Sequence, residues 1–406
     1  MARRPSTRKN IQIEALEGRQ LLAGGAAPTA QAQYMLELIN TLRTDPSRAA
    51  DLLTQNLSGS TRATLAYYHV DLNQAKQDIA TKAPRQPLAW NDSLASAAQT
   101  QSQDMATNGF QSHTGSDGST PDQRIQRAGY TPARKVGENA FAYAQSIDQA
   151  MQSFALDWGV PDKGHLNNLT EPGAAPSDTF KEVGIGTVDS TKPGFGKVVT
   201  VDLGLKQNAP SQLVGVVYND SDHNNFYSVG EGVAGAEIDV TNDQGQLVGS
   251  AWSAGPGGYQ IPLAPGHYHV QAKYAGHVSS EQNITVGDQN VKLDFTNTDA
   301  WSVPAPSTPP AASSRPAAEV IAAPQVVKQQ PQTQPVVSST PAPAPEQTPV
   351  KVETRDSTSQ SNASTQSDAA STGAKGAVFS MFNNSMFPIY WNQVWSSVPT
   401  KSVSNS

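Results

Sequence analysis

Between Gly137 and Asn168 the chain reads GENAFAYAQSIDQAMQSFALDWGVPDKGHLNN, with Glu138 near one end of a predicted helix and His165 near the other. A carboxylate and an imidazole are side chains suited to moving protons near neutral pH or to holding a divalent metal. The chain has only 7 His and 16% charged residues, so two such groups flanking one helix invite a chemical reading. Several other chemistries are closed. There is no Cys, which excludes thiolate catalysis and cysteine-ligated zinc. Neither Gly-x-Ser-x-Gly nor His-Glu-x-x-His occurs, so no nucleophile elbow or zincin helix is encoded. Ser112 adjoins another histidine, His113, but neighbours on an extended segment point to opposite sides.

These groups need elements to place them. YMLELINTLRTDP carries Met35, Leu38, Ile39 and Leu42 at helical spacing. Asp45 followed by Pro46 predicts an N-cap with proline in the first turn of a second helix, running through Ala49, Ala50, Leu52 and Leu53. Residues 61–82 predict a further helix that buries Leu65, Tyr68 and Ile79. NDSLASAAQTQSQDMATNG puts Leu94, Ala97, Ala98, Gln101 and Met105 on one stripe and stops at Gly109. Ile147 to Trp158 is the helix between Glu138 and His165. EVGIGTV and KVVTVDLGL then read as strands separated by a Pro-Gly turn. TGSDGSTPD, Thr114 to Asp122, reads as a surface loop just after His113.

The stretch PLAWNDSLASAAQTQSQDMATNGFQSHTGSDGSTPDQRIQRAGY, followed in order by VGENAFA, GHLNNL and EVGIG, resembles a bacterial-type CAP domain. This is the superfamily of cysteine-rich secretory proteins, antigen 5 and plant pathogenesis-related proteins. The resemblance runs from Gln31 to Leu205. It implies an α-β-α sandwich with a cleft that gathers two histidines and one or two carboxylates. On that resemblance the Ser-His motif supplies His113, Gly-Glu-Asn supplies Glu138 and Gly-His supplies His165, with Asn139 helping to fix the loop. The last carboxylate is left open among Asp157, Asp162 and Glu182. Two imidazoles and a carboxylate converging from three loops allow three roles. They could hold a divalent metal such as zinc with one position open, serve as acid and base for hydrolysis, or form a polar network that holds the cleft loops. Their separations, 25 residues from His113 to Glu138 and 27 on to His165, are not those of a local metal motif.

From 211 to 298 the pattern changes to short strands punctuated by Gly, Asn-Asp and Pro-Gly, which predicts a β-sandwich. Tyr268, Val270, Ala272 and Tyr274 are expected on one face of a strand, and His267 with His269 on one face as well. VVYNDSDHNNFYSVGEGVAGAEIDVTND resembles the opening of the B-type β-sandwich repeats of bacterial adhesins. That resemblance implies calcium at Asn219, Asp220, Asp222, Asn224 and Glu231. Oxygen ligands at alternating positions with a late Glu suit this cation; an Asx-rich hairpin turn is the alternative.

The expected organisation is α+β. An N-terminal targeting segment, 1–30, precedes a CAP domain, 31–206, and an adhesin B-type β-sandwich, 211–298. A disordered linker rich in Pro, Ser, Thr and Gln, 299–375, then leads to an aromatic C-terminal segment, 376–406. LEGRQLLA, Leu16 to Ala23, resembles the short sorting motif of planctomycete-type surface and secreted proteins, with Gly18 where that motif carries Pro. No apolar run approaches the roughly 18 residues of a membrane span. A net charge of −7 without clustered Lys and Arg argues against nucleic acid as a partner. The expected protein is extracellular or held at the cell surface. Its CAP cleft would bind a small ligand, a lipid or another envelope component. The β-sandwich would serve as spacer or adhesion module, and the aromatic C-terminus would meet a surface-protein partner. The alternatives are a metal-assisted hydrolase of peptide or ester bonds, with metal-bound water as nucleophile, and a structural protein of the envelope matrix.

Overall fold

A computed structural model describes residues 27–296, and the backbone of 301–302 and 395–397. The expected targeting segment, the linker and the rest of the aromatic segment lie outside the described residues.

The first domain runs through α1 (Ala30–Thr44), α2 (Pro46–Thr54), α3 (Gly59–Tyr67), α4 (Leu72–Ala80), β1 (Ala89–Trp90), α5 (Asp92–Asn108), α6 (Pro121–Arg127), β2 (Ala133–Ala144), α7 (Ile147–Leu156), α8 (Gly164–Thr170), β3 (Glu182–Asp189) and β4 (Lys197–Lys206). Local chemistry sets many of these limits. Asp45 accepts from the Arg48 amide and so starts α2 with Pro46 in its first turn. Asn91 caps α5, and Gly109 ends it in the left-handed region at φ 72°. Thr120 and Gln123 form a capping box for α6. The single helix predicted over 61–82 is two. His69 adopts φ 52°, and Asp71 accepts from the amides of Asn73 and Gln74 to begin α4. The break leaves Leu65 and Ile79 buried and Tyr68 half-buried.

The strands form one sheet in the order β1-β3-β4-β2, with β1 parallel to β3 and the other pairs antiparallel. β15 (Trp395–Ser397) pairs antiparallel with β2. One face of the sheet packs on α5 and α6 through Leu94, Ala97, Met105, Ile125, Val136 and Ala140. The opposite face buries Phe141, Val199, Val201 and Leu203 against Met35, Ile39, Met151 and Phe154 of α1 and α7. The glycines of VGIG have a steric reason. α5 lies so close that a Cβ on Gly184 would sit 1.9 Å from the Ala95 nitrogen, and one on Gly186 would sit 2.4 Å from the Ala98 carbonyl.

The second domain contains β5 (Ser211–Tyr218), β6 (Glu237–Asn242), β7 (Leu247–Trp252), β8 (Gly258–Leu263), β9 (Gly266–Tyr274), β10 (His277–Ser279), β11 (Gln282–Val286), β12 (Val291–Lys292), β13 (Phe295–Thr296) and β14 (Trp301–Ser302). One sheet has the order β14-β10-β9-β6-β7, with β11 also on β9; the other is β12-β5-β13, with β8 also on β5. Leu213, Val217, Ile238, Val240, Ile261, Val270, Ala272 and Phe295 share one core. Tyr274, at the end of β9, is 44% exposed, while Val270 and Ala272 are fully buried.

The two domains are joined by polar and aromatic contacts that the sequence does not reveal. The Asn290 amide donates to Gln86 Oε1 at 2.9 Å, and Asn290 Nδ2 donates to the carbonyls of Pro87 and Lys181. Lys292 Nζ lies 2.9 Å from Glu37 Oε2 on α1 and also contacts Asp294. Phe226 packs into the first domain's core, edge-on to Tyr34 and under the Arg48 guanidinium.

Candidate functional site

His113 lies between α5 and α6, on a segment that both helices hold. Gln101 Nε2 of α5 donates to the Ser112 carbonyl at 2.6 Å. Arg124 of α6 donates to the carbonyls of His113 at 3.0 Å and Ser119 at 2.8 Å. Glu138 comes from β2 and is fully buried. Its Oε1 is 2.7 Å from His113 Nδ1, and its Oε2 accepts from Arg124 at 2.6 Å. The His113 side chain, at 17% exposed, is the member of this trio that reaches solvent. Asp202 on β4 stands directly across from Glu138 in the sheet register and is also fully buried. Neither of its oxygens has a hydrogen-bond donor among the described residues. Burial pushes the Asp202 carboxyl well above the usual carboxylate range; the neighbouring Glu138 adds to this and the Arg124 charge opposes it.

His165 sits in the first turn of α8. Its Nδ1 is 2.6 Å from Asp157 Oδ1, and the other Asp157 oxygen accepts from the Leu166 amide at 3.0 Å. Asp157 ends α7 in the left-handed region at φ 53°. The His165 ring packs on Phe154 at a centroid distance of 5.4 Å. Asn139 ties this layer to β2 by donating to the His165 carbonyl and accepting from Asn168. The Gly-Glu-Asn motif thus serves both faces of β2, because consecutive strand residues point opposite ways. Glu138 turns to the α5 and α6 side, and Asn139 to the α8 side. Gly137 is required on the α8 side, where a Cβ would lie 2.7 Å from Asn168 Oδ1.

His113 is thus paired with Glu138, and His165 with Asp157. Among the described residues His113, Glu138 and His165 do not form a ligand group; the metal-competent cluster is Asp220, Asp222 and Glu231, whose oxygens lie within 4.8 Å of one another. Of the three residues offered as the last carboxylate, Asp157 partners His165. Asp162 is exposed, and its carbonyl accepts from Asn167. Glu182 accepts from Asn91 and Tyr130 at the start of β3. Sequence reasoning missed Arg124 and Asp202. Asp202 carries a signal, a lone acid inside the apolar run VVTVDLGL; Arg124 carries none.

In the second domain Glu231 accepts from the amides of Ser221, Asp222 and Ser228. Asp220 accepts from the amides of Asn224 and Asn225. Asp222 accepts from the Asn224 amide and the Ser228 hydroxyl. Asn224 Oδ1 is taken by the Phe226 amide, and the Asn219 backbone bonds the Glu231 carbonyl. The loop is folded around its own carboxylates as an Asx-type turn.

Comparison with known proteins agrees with this architecture. Residues 36–203 match the model of the cysteine-rich secretory protein family, CAP. Residues 227–298 match the carboxypeptidase regulatory-like domain. The chain therefore holds a CAP domain followed by a β-rich domain of the carboxypeptidase regulatory-like type. The adhesin B-type assignment, which rested on residues 216–243, is not shown by these comparisons. Similar solved structures include an extracellular protein containing an SCP domain from Bacillus anthracis, at 21% identity over 36% of this chain and 44% of that one, with a TM-score of 0.24. Another is an outer surface protein from Borrelia burgdorferi, at 15% identity over 37% of this chain and 97% of that one, with a TM-score of 0.24. The chain thus spans less than half the length of the first of these. No curated protein matches it.

Proposed function

We propose that this is an exported or surface-held protein whose CAP domain binds a small ligand, a lipid or another envelope component on the His113 side of the sheet, with the β-rich domain as a firmly attached spacer. The observation that carries the reading is the buried charge behind His113. Glu138, Arg124 and Asp202 are withdrawn from water together, at a cost in stability that a plain scaffold avoids with apolar residues. Such groups, presenting one partly exposed imidazole, are what a binding or reactive site needs. The leader motif at Leu16–Ala23 and the Pro/Ser/Thr-rich linker favour life outside the cytoplasm. Among the described residues no helix is long and apolar enough to cross a membrane.

A zinc ion at this cleft would be held by His113 and Glu138, with His165 as the third expected ligand. Calcium would go to Asp220, Asp222 and Glu231. Hydrolysis gains one supporting observation, the Glu138–Asp202 carboxyl pair beside His113, which has the makings of an acid–base couple. One experiment separates these readings. The purified full chain and its His113→Ala variant are melted with zinc, calcium, phosphatidylcholine vesicles and soluble peptidoglycan fragments. The reading expects at least one ligand to raise the melting temperature of the parent and not of the variant. Equal responses in both proteins would refute a site at His113. A calcium response unchanged by the substitution would assign that ion to the second domain.

A further inference from the structure

Within the CAP domain's own sheet β2 is an outer strand, with β4 on one side over Ala133–Ala144. Its second edge offers a row of backbone donors and acceptors that need partners. At Ala142 the amide donates to Gln111 Oε1 at 2.8 Å. Over Val136–Glu138 the partner is β15, antiparallel, with Trp395 opposite Glu138, Ser396 opposite Gly137 and Ser397 opposite Val136. The strand on this edge thus comes from the C-terminal segment and not from either domain. The sequence around it fits that role. Ile389 to Val398 reads IYWNQVWSSV, without a charge or a proline, and is bounded by Pro388 and Pro399. Ile, Tyr, Trp and Val favour strands. A proline brings no N–H and so limits a strand at either end, and the lack of charge removes the usual guard against edge pairing.

We propose that the outer edge of β2 is a strand-acceptor site for an uncharged, aromatic-rich extended peptide, and that this chain's own run Ile389–Val398 is its resident and exchangeable occupant. Main-chain bonds supply the affinity in such strand additions, and the side chains of the added strand give the selectivity. Residues 303–394, 92 in number, separate Ser302 from Trp395. That length spans about 300 Å when extended, so the run can reach its own β2 or that of a second copy. Concentration decides for its own. A tethered segment acts at an effective concentration on the order of 1 mM, well above that of separate chains in dilute solution. While docked, the run is withheld from the surface-protein partner expected of it. Once displaced, it leaves both itself and the β2 edge open to pairing. The acceptor is the backbone of β2 and not the side chains of the cleft, so its occupancy is measured independently of any ligand at His113.

The test compares the full chain with a variant carrying Trp395→Pro and Ser396→Pro together. Adjacent amides of a strand point to opposite sides, so one of the two faces β2 and is removed. Both positions lie outside the two domains, so the variant should keep the parent's circular dichroism spectrum. Hydrogen exchange read by mass spectrometry is the main measurement. The peptide covering 133–144 should exchange about tenfold faster in the variant, as expected for one lost hydrogen bond, while that covering 198–205 of β4 should not change. A synthetic peptide of residues 389–400 should bind the variant saturably and restore the slow exchange. It should bind the parent about tenfold more weakly, because an occupant at an effective concentration on the order of 1 mM outcompetes a free peptide of about 100 µM affinity by that factor. The same peptide with both prolines should bind neither protein. The proposal falls if the variant leaves the exchange of 133–144 unchanged, or if the peptide binds neither protein or both equally. Protection in the parent that grows with protein concentration, with dimers in light scattering, would assign the edge to a second copy and overturn docking within one chain.

Discussion

Replacing Arg124 by Met is the sharpest test of the buried charge cluster. The substitution keeps a long side chain in the wall between α6 and the sheet and removes the cation from Glu138. The pair is 2.6 Å apart, with side chains 4% and 0% exposed, so solvent screens it little. Removing one partner of such a pair costs about 3–5 kcal/mol, because the other charge is left buried and uncompensated. Two backbone carbonyls, of His113 and Ser119, also lose their donor. One effect runs the other way: the unmet Nε disappears, returning about 1 kcal/mol. The net expectation is a loss of about 3 kcal/mol near neutral pH, or a fall of about 6–12 °C in melting temperature for a unit of this size. Urea unfolding followed by circular dichroism measures the first figure and a thermal melt the second. If the stranded Glu138 charge is the cause, Arg124→Met combined with Glu138→Gln should be clearly more stable than the sum of the single losses, by about 1–2 kcal/mol. A single-variant loss under about 1 kcal/mol, or strict additivity, would refute the view that Glu138 depends on Arg124 for its burial.

Two further outcomes are expected. The raised Asp202 carboxyl contributes stability that is complete below the ordinary carboxylate range and is lost as pH rises through its folded value. Asp202→Asn removes that dependence, so the variant should gain on the parent as pH climbs above about 4, by up to about 1.4 kcal/mol per pH unit; a constant gap between the two urea curves would disprove the protonated carboxyl. Lys292→Met leaves the buried Glu37 facing Asp294 without a cation; calorimetry should record a loss of about 3 kcal/mol and the single transition should split into two, whereas an unchanged single peak would show that this contact does not couple the domains.

Much of the fold was legible because its signals are local. Asp45 with Pro46 starts a helix and Gly109 ends one through their own side chain or backbone, and the structure puts the start of α2 and the end of α5 where those residues predict. The limit of such signals appears at 61–82, where apolar spacing continues through a break that Asp71 imposes by capping a new helix. Similarly, the alternation in HYHVQAKY places Val270 and Ala272 inside, but it cannot report that the sandwich ends before Tyr274.

The sequence by itself determined the element types, the domain order, the absence of thiol chemistry, and the residues that hold the centre of the CAP domain. Only the tertiary structure decided which of those residues meet. Strand alternation sends Glu138 and Asn139 to opposite faces of β2, so His113 and His165 end with different carboxylates. Sheet register sets Asp202 beside Glu138, although 64 positions separate them, from 138 to 202. The placement of α6 brings Arg124 to both. Such pairings depend on how whole layers pack, and no pattern within one segment encodes the distance between atoms carried by two others.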